Sequence, residues 1–476
     1  MANPIIGRKA EMHLLEQYIN SDKAEFIALY GRRRVGKTFL IRRYFDNQFA
    51  FDMTGIIEGK MSEQMAAFND SLRQYGYQGD KVKTWLDAFF ALRDSLQEKL
   101  KAGEKCIVFI DELPCLDTPR SGFVRALGHF WNSWAAWQPG MKLIVCGSAT
   151  SWMVRNVIDN HGGLHDRVTH EMALKPFSLA EVEEFFTANS FQWSRLGILH
   201  AYMAVGGIPY YLSMFRPTES PAQGIDRLFF DENAELAKEY HRLFSSLFRN
   251  PAPYLSLIKL LATKPSGMTR EEIAAALGVS NNGFLGDLLT DLVYCDFLRS
   301  YQVREKRIKS NSCLYKLVDF YTIFYHTFIR KAAEPGYWLR MQGTPTVNTW
   351  TGLAYERVCM SHIAQIKRAL GISSVGTEAY TALIKEGEAK SQIDLVIERA
   401  DKMINLCEIK YSETEYTLTQ EEFIKLGRRV EAFKNLTQTH YGVVPTLITT
   451  FGLTHGMYAD HIHVSVTLDD LFAYQV

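Results

Sequence analysis

Gly31-Arg32-Arg33-Arg34-Val35-Gly36-Lys37-Thr38 satisfies the phosphate-loop pattern G-x-x-x-x-G-K-[ST] in full. The flanks decide how it is read. Residues 26–30 (Phe-Ile-Ala-Leu-Tyr) form an apolar run that predicts a buried strand, and residues 39–45 (Phe-Leu-Ile-Arg-Arg-Tyr-Phe) predict the first turns of a helix. A glycine-rich turn matching by chance would lack both. Between such a strand and helix, successive backbone N–H groups and the helix N-terminus can wrap a polyphosphate. Gly31 and Gly36 give the loop its turns, Lys37 is placed to reach the β- and γ-phosphates, and the Thr38 hydroxyl is placed to ligate Mg²⁺. The stretch implies a nucleoside-triphosphate site. Arg32, Arg33 and Arg34 are expected to be solvated.

At ~150 residues per domain, a chain of 476 residues predicts two to four domains. Hydrophobic content of 47% and charged content of 22% exclude extended disorder. The 53 basic and 53 acidic side chains cancel, so any nucleic-acid surface must be local. The cysteines (106, 115, 146, 295, 313, 359 and 407) form no C-x-x-C pair, and Cys106, Cys146 and Cys407 fall in predicted buried strands. That usage predicts a reducing compartment. No basic-then-apolar signal pattern opens the chain, and no apolar run reaches the roughly 20 residues that span a bilayer, so a cytoplasmic protein without a membrane partner is expected.

A second apolar strand, residues 106–110, ends in Asp111-Glu112. Acids at the end of such a strand complete a nucleotide site: Asp111 to hold Mg²⁺ through its water shell, Glu112 to polarise the attacking water as general base. A third strand, residues 141–146, ends in Gly147-Ser148-Ala149-Thr150, where the Ser148 hydroxyl can orient that water or sense the γ-phosphate; serine is also a common helix cap.

These motifs, in this order, resemble an AAA+-like ATPase, close to the signal-transduction ATPase branch. The resemblance implies ATP and Mg²⁺ as cofactors. It matches His165-Asp166-Arg167 to the segment that carries an arginine near the γ-phosphate, in cis or from a neighbouring subunit, so an oligomer stays open; the plainer reading of Arg167 is a surface ion pair. It also matches Gly206-Gly207-Ile208-Pro209-Tyr210 to the lid element whose proline, here Pro209, packs on the adenine. His161 and His165 lack ligand partners at metal-binding spacing and read as surface residues.

The expected fold is α/β: a parallel P-loop sheet over residues 1–177, a helical lid over 178–248, a winged helix over 249–335 and an α/β restriction-endonuclease-like domain over 345–476. Ser178 and Glu181 form a capping box at the start of the lid. Residues 268–280 and 281–292 have helix-turn-helix spacing, and residues 297–317 alternate like a hairpin carrying Arg304, Lys306, Arg307 and Lys309. Those bases can grip phosphates, yet Asp287 and Asp291 make the second helix a poor major-groove reader, and packing on the nucleotide domain is the competing expectation.

In the last domain Glu356 lies on a predicted helix among apolar neighbours. Residues 392–398 and 403–410 predict a hairpin whose side-chain period of two puts Glu408 and Lys410 on one face, with Asp394 able to join them. Asp394 and Glu408 are hard oxygen ligands for Mg²⁺, and Lys410 can position water or stabilise developing charge. This resembles the PD-(D/E)XK restriction-endonuclease-like superfamily, with Glu356 matching its helix acid and Ile393 standing where proline is usual. A solvated charged strand face is the bland alternative. The whole order resembles archaeal and bacterial ATPases with such a C-terminus. It implies an ATPase coupled to Mg²⁺-dependent nucleic-acid cleavage, with DNA met through the winged helix and the C-terminal domain. The alternatives are an ATP-driven switch with a non-catalytic partner-binding module, or a DNA-binding regulator.

Overall fold

A computed structural model describes residues 4–159, 162–302, 313–329, 334–386, 389–462 and 464–474. The chain divides into two compact units. The first comprises Met1–Pro176, Leu243–Pro251 and Thr290–Cys295; the second comprises Phe177–Arg242, Ala252–Leu289 and Asp296–Val476.

The first unit is built on five parallel strands: β1 (Glu25–Tyr30), β2 (Phe51–Thr54), β3 (Cys106–Asp111), β4 (Met141–Gly147) and β5 (His170–Ala173). Their order is β2-β3-β4-β1-β5. Helices cover the sheet, so the central strands are near-continuous apolar runs, and β4 is buried at every residue. Phe68 packs edge-on against Trp85 and Phe89, and Trp85 edge-on against Phe123 with ring centroids 4.8 Å apart. The order matters for the site. β4 separates β1 from β3, so the residues following these three strands share one carboxyl edge, where open α/β sheets bind ligands.

The second unit begins with helices Leu179–Ala188, Arg195–Val205, Pro209–Leu212 and Pro221–Phe230. The Ser178/Glu181 capping box is present, with Ser178 N donating to Glu181 Oε2 at 2.8 Å. Helices Arg270–Leu277 and Gly283–Tyr294 follow, the latter in this unit only as far as Leu289, with a small antiparallel sheet ordered β6 (Met268–Thr269), β8 (Cys313–Leu317), β7 (Leu298–Gln302). Arg304, Lys306, Arg307 and Lys309 lie outside the described residues, as does His161. Asp291, part of the first unit, is buried and pairs with Arg155 at 2.9 Å, which occupies it in packing.

The last sheet runs β13-β12-β11-β10-β9. β9 (Thr377–Glu386), β10 (Ala389–Arg399) and β11 (Met403–Lys410) are antiparallel neighbours; β12 (Gly442–Thr449) and β13 (Ser465–Val466) continue in parallel. The switch to parallel pairing requires a crossover, which helix Gln420–Thr437 supplies.

All seven cysteines are free thiols, with Cys106, Cys146 and Cys407 buried as expected. Among the described residues no helix is long and apolar enough to cross a membrane.

Candidate functional site

The loop after β1 closes on two backbone features. Gly31 has φ 142°, and a Cβ there would sit inside van der Waals contact with the carbonyl oxygen of Leu174, so only glycine fits. Gly36, at φ 92°, takes the N-cap position of helix Lys37–Tyr44 and offers no side chain to its first N–H groups. Those donors are left for an anion, where the helix dipole also favours negative charge. Lys37 is buried and its Nζ donates to the carbonyls of Gly31 (2.7 Å) and Arg32 (3.0 Å), folding the ammonium over the loop. Arg32 departs from the expectation of a solvated side chain: it is 3% exposed. Its neighbours Arg33 and Arg34 are half-buried.

Thr38 Oγ1 donates to Asp111 Oδ2 at 2.7 Å. These are two hard oxygen donors side by side, a set that fits Mg²⁺. The other Asp111 oxygen accepts the backbone N–H of Glu112 at 2.9 Å. Glu112 itself sits in the left-handed region at φ 46°, a conformation that costs a non-glycine residue about 1–3 kcal/mol. Its carboxylate is held by Ser148, whose Oγ donates to Oε2 at 2.9 Å. Asp111 and Ser148, from β3 and the end of β4, therefore meet Thr38 and Glu112 along the carboxyl edge that the strand order creates.

Arg167 is exposed in the turn before β5, its backbone N–H bonded to Leu164 O at 3.1 Å. His165 is exposed beside Asp166. Pro209 opens the short helix Pro209–Leu212 in the second unit. The glycine pair before it has a packing reason: Gly207 O accepts from Phe177 N at 2.6 Å, and a Cβ on Gly207 would collide with the Phe177 carbonyl.

One contributor to the phosphate loop had no sequence motif to announce it. Arg8 is 4% exposed and donates to Val35 O, inside the loop, at 2.9 Å and to Lys175 O at 2.8 Å. It ties the loop to the segment leaving β5.

In the C-terminal sheet, Leu395 pairs with Cys407, and Asp394 and Glu408 are the residues next to that pair on β10 and β11. Asp394 Oδ2 accepts the N–H of Ile409 at 2.9 Å. Burial, then the charges of Glu408 and Glu356, push the Asp394 carboxyl up to about 7. Glu408 Oε1 pairs with Lys410 Nζ at 2.9 Å. Its other oxygen pairs with Arg429, from helix Gln420–Thr437. Glu356, on helix Pro345–Ser361, pairs with Lys316 of β8 at 3.3 Å. Sequence spacing pointed to neither Arg429 nor Lys316. Asp394 and Glu408 offer carboxylate oxygens of the kind that suit Mg²⁺. Among the described residues, however, no group of three or more His, Cys, Asp or Glu side chains is gathered to hold a metal.

Comparison with known proteins bears on the first of these sites. Residues 5–215 match the family described as an ATPase domain predominantly from Archaea. An uncharacterized protein of Methanocaldococcus jannaschii is 24% identical over 371 residues, 76% of this chain and 78% of the relative. An uncharacterized ATP-binding protein of the same organism is 51% identical over 43 residues, 9% of this chain and 73% of the relative. Among solved structures, a Walker-type ATPase of Pyrococcus abyssi is similar at 20% identity and TM-score 0.43, covering 68% of this chain and 96% of its own. The ORC2 protein of Aeropyrum pernix is similar at 13% identity and TM-score 0.36, covering 76% and 97%. Over residues 5–215 the chain is similar to the ATPase domain found predominantly in Archaea, and the phosphate loop, Asp111, Glu112 and Ser148 all lie within that stretch.

Proposed function

We propose that ATP binding and hydrolysis in this domain are coupled to a second site, in residues 345–476, that cleaves nucleic acid with Mg²⁺. In the ATPase domain Lys37 binds the β- and γ-phosphates, Thr38 and Asp111 hold Mg²⁺, and Glu112 takes the proton of the attacking water while Ser148 orients it. Arg167 offsets charge on the transferred phosphoryl group, and Pro209 packs on the adenine of the lid-bound nucleotide. Residues 249–335 act as a winged helix.

At the second site Asp394 and Glu408 would hold Mg²⁺, which supplies a polarised phosphate and a more acidic water. Lys410 orients that water and stabilises developing charge, and Glu356 supports the pair. The observation that carries this reading is Asp394 Oδ2 accepting the N–H of Ile409, between Glu408 and Lys410, with the Glu408–Lys410 contact of 2.9 Å alongside it. The test is incubation of purified protein with Mg²⁺ and ATP on duplex DNA, single-stranded DNA and RNA. Asp394→Ala should eliminate cleavage while ATP turnover continues; cleavage at the wild-type rate by that variant would remove the site from consideration.

A second reading, an ATP-driven switch or DNA-binding regulator whose C-terminal domain binds a partner without cutting, draws support from Glu408. Both its oxygens are already engaged, by Lys410 and Arg429. A wild-type protein inert toward every nucleic acid in the same assay favours that reading.

A further inference from the structure

Beside Glu408 lies a cavity of about 60 Å³ bordered by Lys410, Lys425, Arg429, Glu408, Glu422 and Tyr416, with leucines making up the remainder. Three cations thus face two carboxylates. Glu422 is committed locally: its Oε2 accepts from Thr419 N (3.1 Å) and Thr419 Oγ1 (2.9 Å), and its other oxygen accepts from Tyr416. Glu422 keeps its charge and acts on Lys410, while Glu408 makes the direct ion pairs with Lys410 and Arg429, so the three cations exceed the two carboxylates by one. Lys425 and Arg429 are four residues apart on helix Gln420–Thr437, so both lie on the helix face that borders the cavity.

We propose that this cavity is a phosphate-binding subsite, in which Lys425 and Arg429 grip a phosphodiester of the nucleic-acid strand next to the one positioned at Asp394 and Glu408. The inference rests on the nuclease reading above and names where its substrate is held. Were Glu408 to hold a divalent cation, it would no longer pair with Arg429 and Lys410, and the positive charge lining the cavity would further exceed the negative. An anionic oxygen answers that surplus, and the Arg429 fork suits two oxygens of one phosphate. The Arg429–Glu408 pair is then a placeholder: the same guanidinium serves the carboxylate or, in its stead, the phosphate.

The test is fluorescence anisotropy on a labelled duplex of about 20 base pairs and a matching single-stranded RNA, with Ca²⁺ replacing Mg²⁺, between roughly 50 and 200 mM salt. Lys425 is exposed, so Lys425→Ala should fold normally. On duplex DNA it should weaken binding severalfold at low salt and reduce the slope of log K against log salt by ~0.9, the loss of one phosphate contact. Arg429→Lys should bind better than Arg429→Gln, because it keeps the charge. The two probes tell which strand the subsite takes. A wild-type protein that binds neither probe sinks the nuclease reading and this inference with it. Binding by wild type with unaltered affinity and slope in Lys425→Ala and Arg429→Gln overturns the subsite alone.

Discussion

Replacing Arg8 by alanine should loosen the phosphate loop from behind. The guanidinium is 4% exposed and spans two carbonyls, Val35 O at 2.9 Å and Lys175 O at 2.8 Å. A hydrogen bond from a charged donor contributes about 1.5–3 kcal/mol. The two bonds share one group and do not add fully, so a loss of about 3 kcal/mol in the stability of the first unit is expected. The Val35 carbonyl then lacks its partner, and the loop must be reordered when nucleotide arrives. Fixing even one residue costs about 1–2 kcal/mol, which corresponds to a ~5–30-fold weaker nucleotide complex. Urea unfolding of the full chain measures the first effect, and titration with a fluorescent ATP analogue measures the second. Arg8→Lys, able to keep one of the two contacts, should fall between. If Arg8→Ala unfolds at the wild-type midpoint and binds nucleotide within twofold of wild type, the clamp is not a support of the loop.

Lys37→Ala should abolish nucleotide binding, whereas Glu112→Gln should bind ATP normally and stop turning it over; hydrolysis by Glu112→Gln at the wild-type rate would refute the base assignment. Ser148→Ala releases the Glu112 carboxylate and should lower the hydrolysis rate by more than it changes affinity, read as a split between kcat and KM. His362 gives a pH prediction. Its Nε2 accepts from Leu179 N at 3.0 Å, its Nδ1 faces Val358 O at 2.8 Å, and burial pulls it down to about 4. The unfolded chain therefore takes up a proton that the folded one refuses between pH 6.5 and 4, and stability falls across that window as pH drops, by roughly 3 kcal/mol in all. In urea unfolding the stability gap between wild type and His362→Gln should narrow as pH falls through the window; a gap independent of pH would show that His362 does not titrate this way.

The phosphate-loop half of the molecule was readable because its signals are local. A parallel strand buried on both faces must be an apolar run, so residues 26–30, 106–110 and 141–146 reappear as β1, β3 and β4 to within one residue at each end. Glycine at a left-handed turn and a lysine one residue beyond it are equally local. The β10–β11 hairpin followed from alternation, and in its turn Lys402 adopts φ 66°. What escaped is what folding brings from a distance. Arg8 reaches Val35 across the loop, Arg429 reaches back to Glu408, and Lys316 reaches forward to Glu356; no spacing rule links such pairs. Arg32 was misjudged for a related reason. An arginine run resembles a solvated surface, and only tertiary packing decides which of three consecutive side chains turns inward.

The two large sheets end differently, and the difference bears on how the protein behaves when crowded. In the first unit the edge strands β2 and β5 have four residues each, too short to template a foreign strand. The C-terminal sheet ends on one side with the two-residue β13 but on the other with β9, which runs for ten residues. A long outer strand is where intermolecular pairing starts when a chain is concentrated or partly unfolded. Aggregation of this protein during refolding should therefore begin at β9, and a proline or lysine introduced along that strand is the change that would protect it.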